Sequence, residues 1–258
     1  MKKILFFLLL MSYSIPNFAK NNVELAQDLS TILTNFISLP FQFNYNYHIN
    51  IFKTGHQTYL NFQPVIPIPI TNDWSVISRT ILPIVDQVNV LPGSGTQRGL
   101  SDALQSFFLV PRIQNLVLGI GPAISVPVAS DPLLGSERWD LGPTALIAKI
   151  TGPWTFGFLG YQIWSVSRNS RTPHSLSFFQ PFVSYTTPTA WTFTVNSETS
   201  YDWKGNNVSV PFNFVSTKLF FLNKQPLNIG GGLRYWAKTP ETGAKDFGIR
   251  LVVTFLFA

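Results

Sequence analysis

Apolar and polar residues alternate with a period of two along most of this chain, which is the pattern of strands with one face toward each of two environments. Residues 191–202 show it best. Trp191, Phe193, Val195 and Tyr201 share one face with Ser197 and Thr199, while Thr192, Thr194, Asn196, Glu198, Ser200 and Asp202 share the other. Phe41, Phe43, Tyr45 and Tyr47 alternate with Gln42, Asn44, Asn46 and His48 near the start, and an apolar face from Phe247 to Phe257 closes the chain. Twelve strands are predicted, at 39–48, 59–70, 74–85, 101–111, 116–128, 139–150, 154–166, 175–186, 191–202, 208–221, 227–237 and 247–258. Strands 116–128 and 175–186 alternate least cleanly. Prolines recur inside strands, at Pro64, Pro67, Pro69, Pro122, Pro127, Pro143, Pro181 and Pro211, which predicts bulges or rim positions because proline lacks a ladder donor.

The connections run 10, 3, 15, 4, 10, 3, 8, 4, 5, 5 and 9 residues. Short and long thus alternate, except at 203–207 and 222–226. A closed antiparallel barrel in a membrane sorts its turns this way, tight on one rim and long on the other. The fold expected is all-β, a 12-stranded antiparallel transmembrane β-barrel, with both termini and the tight turns on the periplasmic side and the long loops outside. The longest connection, 86–100, is the expected outer loop.

Ahead of the strands, Leu25, Leu29, Ile32, Leu33 and Phe36 recur at three- and four-residue steps between Asp28, Ser30, Thr31 and Asn35. This predicts a short amphipathic helix over 22–37, which plugs or gates the lumen or else caps it from beneath. Residues 1–19 read as a signal peptide: Lys2 and Lys3, an apolar core over 4–11, and a polar exit with cleavage after about Ala19. The expected organisation is therefore a signal at 1–19, a helix at 20–37 and a barrel at 38–258.

Composition narrows this further. Charged residues make up 12% and aromatics 15%, against about 25% charged in an ordinary soluble domain. Beyond the N-terminus no apolar run reaches the ~18 residues of a spanning helix. An apolar exterior without spanning helices leaves a closed barrel, which also satisfies its own backbone in lipid. Removing residues 1–19 deletes two lysines, so the net charge falls from +6 to +4. Spread without a basic run, that charge argues against nucleic acid and fits contact with outer-membrane lipid and lipopolysaccharide. With no cysteine, thiolate metal sites and cysteine nucleophiles are excluded.

The seven tryptophans all fall at predicted strand ends. Trp74, Trp154 and Trp191 follow short turns; Trp139, Trp164 and Trp203 lie at long-loop ends, so these six form a candidate pair of aromatic girdles. Parity turns Trp236 inward beside Arg234.

Residues 38–46 (SLPFQFNYN), 63–70 (QPVIPIPI), 73–84 (DWSVISRTILPI), 134–149 (LGSERWDLGPTALIAK) and 152–166 (GPWTFGFLGYQIWSV) carry a likeness that 180–203 and 234–251 continue. The chain resembles a Gram-negative outer-membrane β-barrel family loosely labelled transporters, with relatives named for the phenol-degradation MetA pathway. The resemblance implies a porin-like channel or transporter in the outer membrane for a small solute, hydrophobic or aromatic by family likeness, inserted by the barrel-assembly machinery. It implies no catalytic residue. The usual aromatic C-terminus is displaced here, since Ala258 follows Phe257.

No enzyme, cofactor or metal constellation is legible. His48, His56 and His174 sit beside predicted loops without ligand spacing, and Gly93-Ser94-Gly95 lacks the lysine and the helix of a phosphate loop. A barrel lipase would need a serine–histidine pair on the lipid face, which the sequence does not offer. Parity does direct Glu198, Asp202, Arg234, Arg250 and Arg79 into the lumen. They either line a path for polar or ionic solutes or form a paired network filling a narrow barrel. An alternative to transport is a structural or adhesive surface barrel that binds a partner through its extracellular loops, chiefly 86–100.

Overall fold

The computed structural model describes residues 21–166 and 174–257; the expected signal peptide and the C-terminal Ala258 lie outside them. One helix, α1 (Asn22–Ser30), precedes fifteen strands: β1 (Ile37–Ile49), β2 (Gly55–Phe62), β3 (Val65–Pro69), β4 (Trp74–Val88), β5 (Thr96–Leu100), β6 (Ala103–Pro111), β7 (Leu116–Val126), β8 (Asp140–Thr151), β9 (Trp154–Ser165), β10 (Ser175–Thr186), β11 (Trp191–Ser197), β12 (Thr199–Asp202), β13 (Asn207–Leu222), β14 (Gln225–Lys238) and β15 (Asp246–Phe257). Three pairs, β2 with β3, β5 with β6 and β11 with β12, are interrupted staves, which leaves twelve in all. Each stave pairs antiparallel with the next, and β15 closes on β1 from Ile37↔Phe257 to Asn46↔Gly248. No helix among the described residues is long and apolar enough to cross a membrane.

The stave breaks follow the chemistry of the chain. Pro64, with no N–H to give the ladder, separates β2 from β3. At residues 101–102 the register against β4 slips by one, a bulge, between Ile84↔Leu100 and Ile81↔Leu104. Pro122 faces Pro143 across β7 and β8, where neither can donate. A register shift between Val210 and Pro211 absorbs the last of these prolines.

Five connections at the rim that carries the chain ends are short: 70–73, 112–115, 152–153, 187–190 and 223–224. The opposite rim has 50–54, 89–95, 127–139, 166–174, 203–206 and 239–245. The expected 86–100 loop is thereby corrected. β4 continues to Val88 and β5 returns opposite it, from Val88↔Thr96 to Ile84↔Leu100, so only 89–95 turn. Strand signals faded there because the inward residues are polar, Gln57, Gln87 and Gln97 forming a side-chain amide ladder. Gly93 and Gly95, both at positive φ, belong to that turn. The longest described connection is 127–139, organised by Asp102, which accepts from Ser136 N at 2.6 Å, Ser136 Oγ at 2.6 Å and Ala129 N at 3.3 Å.

The wall has an apolar outside. Ile120, Ile147, Phe156, Phe193, Phe214 and Leu251 all project from it with half or more of their surface uncovered. Outward polar groups close on one another: Thr80 Oγ1 donates to Gln105 Oε1 at 2.5 Å, and Gln105 Nε2 to Ser78 Oγ at 3.0 Å. Paired in this way, they escape the cost of unsatisfied polar atoms in an apolar medium.

Inside, the two halves of the barrel differ. From β3 to β10 an apolar cluster fills the lumen around the segment: Val65, Ile77, Phe108, Val110, Leu146, Leu159 and Phe182 pack with Leu33. That explains the weak alternation of β7 and β10, whose inner faces meet an apolar plug rather than water. Gly119 of β7 faces the same cluster, and a Cβ there would lie 3.1 Å from both Leu33 Cδ1 and Phe108 Cδ1. On β1 and β13 to β15 the inner face is more polar, with Asn44, Asn213, Arg234, Arg250 and Thr254 all buried.

The N-terminal segment enters the lumen. Helix α1 starts with a reciprocal cap, Asn21 Oδ1 accepting from Glu24 N at 3.0 Å and Glu24 Oε2 from Asn21 N at 3.3 Å. It stops at Ser30, well short of the expected 37. Thr31 Oγ1 donates back to Asp28 O at 2.7 Å, and Ile32 takes a positive φ of 73°. The Ser30-Thr31 pair favours side-chain to backbone bonds over a further helical turn. Residues 31–36 therefore run as irregular chain into β1, seating Leu33 and Phe36 as two anchors.

Candidate functional site

A layer of charge crosses the lumen beyond the N-terminal segment. Register builds it: Arg250 on β15 pairs Asn44 on β1, Asn44 pairs Tyr59 on β2, Arg234 on β14 pairs Asn213 on β13, and Asn213 pairs Asn196 on β11. Even spacing keeps all of these side chains inward. Glu198, at the gap between β11 and β12, reaches into the middle of them.

Glu198 is the hub. Arg250 Nη1 donates to its Oε1 at 2.7 Å and Arg250 Nη2 to its Oε2 at 2.9 Å, a fork-to-fork pair, while Arg234 Nη2 donates to the same Oε2. The remaining donors are nearly all used. Arg250 Nε reaches Asn44 Oδ1 at 2.9 Å, Arg234 Nε reaches Asn213 Oδ1 at 2.8 Å, and Arg234 Nη1 donates to Tyr59 OH. Both arginines are 3% exposed, so the network stands in a low-dielectric setting where bidentate charge-assisted bonds are strong. Gly232, opposite Arg250 on β14, allows close wall packing there, since a Cβ would fall 1.8 Å from Phe214 O.

Arg79 approaches from the other half, on β4 between Val65 and Ser106. Its Nη2 donates to Gln63 Oε1 at 3.2 Å. Between this layer and the N-terminal segment lies a cavity of about 200 Å³. Leu29, Ile32 and Thr34 form its floor, Arg79, Arg250, Gln42 and Gln63 its charged and amide side, and Phe182 and Val65 its apolar side. The segment is pinned by Ser30 Oγ to Thr155 Oγ1 at 2.7 Å and Gln27 Nε2 to Gly152 O at 2.7 Å. Leu25, Ala26 and Phe36 pack against Leu219 and Leu256.

Four of the five expected lumen residues thus meet in one layer or on its edge. Asp202 does not. It lies four residues past Glu198, about 13 Å along the strand, and its Oδ1 accepts Lys204 N at 3.0 Å to cap the 203–206 turn. The sequence reading missed Asn44, Asn213 and Tyr59 as partners; parity flagged the face of Asn44 but gave no sign of what it bonds.

Of the tryptophans, Trp74, Trp154 and Trp191 stand outward at the rim with short turns, and Trp139, Trp164 and Trp203 outward at the other. Trp236 is inward: its Nε1 donates to Asn46 Oδ1 at 3.3 Å, and Arg234 lies 5.2 Å from its ring centre. His174 is more than a surface loop residue. Its Nδ1 sits 2.9 Å from Asp140 Oδ2, with Arg138 Nε 3.3 Å from Asp140 Oδ1, and both side chains are largely buried. His48 meets Asp246 at 2.7 Å on the same rim, in the open. Among the described residues no group of three or more histidine and carboxylate side chains is placed to hold a metal ion.

No family model matches the chain, and no curated relative does. Solved structures do. The COG4313 outer membrane channel from Pseudomonas putida F1 aligns with a TM-score of 0.66 at 18% identity, over 86% of this chain and 94% of its own. The outer membrane phospholipase of Salmonella typhi, a dimer with bound calcium, aligns at 0.47 and 9% identity over 85% and 90% of the two chains. A mutant Rh. blastica porin aligns at 0.27 and 8% over 86% and 99%. None of the three is named for phenol degradation. The first of them shares this fold, that of an outer-membrane β-barrel.

Proposed function

We propose that the chain is an outer-membrane channel or transporter for a small solute, held closed at rest by its N-terminal segment. The observation that carries this reading is the lumen itself. A cavity lies between the N-terminal segment and a charged layer, inside a wall whose outside is apolar. The girdle assignment supports the membrane setting. Trp154 and Trp164 stand at opposite ends of β9, about 33 Å apart along the strand, or about 25 Å along the axis for a tilt of about 40°, which matches the apolar band of such barrels. The short-turn rim and the segment then face the periplasm. Membrane lipid and lipopolysaccharide would meet the outward face, and the assembly machinery would insert it.

The two expectations for the charged residues merge in this arrangement. Glu198, Arg234 and Arg250 are a paired network that narrows the lumen, while Arg79 is left facing the cavity. The adhesive reading loses its motive with the shrinkage of 86–100 to the 89–95 turn. A Leu25→Ser/Leu33→Ser variant loosens the segment without removing it, since both leucines are buried anchors. In planar bilayers the full chain is expected to pass current rarely and the variant often. Absence of conductance and of solute flux in both would sink the proposal.

A further inference from the structure

The charged layer is not electrically balanced. Glu198 sets one negative charge against Arg79, Arg234 and Arg250, and it is bonded only to the latter two. Arg79 is 8% exposed, yet among the described residues its one hydrogen bond goes to the neutral amide oxygen of Gln63. A guanidinium carries five donors, and a buried cation lacking a counter-charge is costly. The cavity of about 200 Å³ opens beside this unspent fork.

We propose that the cavity is a binding site for a small organic carboxylate, with the carboxylate on Arg79 and its apolar body against Phe182 and Val65. The inference rests on the channel reading for the solute's route to the site. A planar carboxylate matches the guanidinium fork with two parallel bonds, and the Gln42 and Gln63 amides stand beside it to take up the remaining polar edge. A cation would meet three arginines against one glutamate. A neutral solute would leave Arg79 without an ion-pair contact. The apolar wall sets the second half of the preference, because an inorganic anion would leave Phe182 and Val65 facing water.

Calorimetric titration of the full chain in detergent micelles tests this with three probes of one shape: butyrate, butyramide and butylamine. Butyrate is expected to bind, with the amide and the amine at least about 10-fold weaker, as a charge-assisted pair demands. Arg79→Gln should weaken butyrate about 10- to 100-fold, and Arg79→Lys should restore part of it. Equal binding of butyrate and butyramide by the unaltered chain overturns the proposal without relying on any variant. So does Arg79→Gln that folds, judged by its heat-shifted band on gels, and binds butyrate unchanged. The site and the channel fail separately: solute flux with no butyrate binding removes the site alone, and butyrate binding with no flux removes the channel alone.

Discussion

Replacing Glu198 by glutamine strands two buried arginines at once, and the cost can be worked from the contacts. The carboxylate accepts three charge-assisted bonds, at 2.7 and 2.9 Å from Arg250 and a third from Arg234. The amide keeps one acceptor oxygen and turns an N–H₂ donor toward guanidinium donors, so at least one bond becomes a repulsion. Hydrogen bonds to charged groups are worth about 1.5–3 kcal/mol each. Their sum overstates the change, because side chains and water relax; breaking one partner of a buried pair costs about 3–5 kcal/mol. Glu198 is one-fifth exposed and both arginines are almost sealed, so the lower half of that range is expected. Urea unfolding in lipid vesicles, followed by tryptophan fluorescence, should show Glu198→Gln to be more damaging than Arg250→Gln. The arginine change leaves Glu198 still paired with Arg234. A loss below about 1 kcal/mol, or the reverse order, would refute the hub role of Glu198.

Other expectations concern the plug and the girdles. Leu33→Ala removes a 2%-exposed anchor and should cost about 3 kcal/mol, read as faster amide exchange confined to residues 21–36. Gly119→Val crowds Leu33 from the wall and should cost about 1–3 kcal/mol; combined with Leu33→Ala the two losses should be less than additive in a double-mutant cycle. Trp154→Ala deletes an indole with 44% of its surface outside. With that fraction of about 200 Å² for the residue at ~25 cal/mol per Å², the loss of membrane contact is about 2 kcal/mol, measurable as lowered stability in vesicles but not in a solvating detergent.

The barrel was legible because period-two alternation and turn length report directly on a wall between lipid and lumen. Trp191 to Val195 display it without exception. What the alternation could not show was the filling. β7 and part of β10 look irregular in sequence because they pack on an apolar cluster around Leu33, more than eighty positions before them in the chain. The same blindness affected the site. Parity places Glu198, Arg234 and Arg250 on the inside, but it carries no information on height, so it cannot separate Asp202, at the 203–206 turn, from residues about 13 Å further into the barrel. Nor could it reveal that Arg79 stands without a carboxylate, which depends on which wall each residue approaches from. The helix overran for a related reason: Ile32, Leu33 and Phe36 continue the helical spacing, yet they are spaced by an irregular turn that docks in the barrel.

Closure of the lumen by the N-terminal segment is the central claim, and the absence of native cysteine makes it directly testable. Ser30 Oγ and Thr155 Oγ1 lie 2.7 Å apart, one on the segment and one on the wall. Ser30→Cys/Thr155→Cys should therefore form a disulfide that locks the segment in place. In a planar bilayer the oxidised protein should stay shut, and addition of reductant should release current in the same membrane. Current that is equal before and after reduction, with the crosslink verified, would contradict the account.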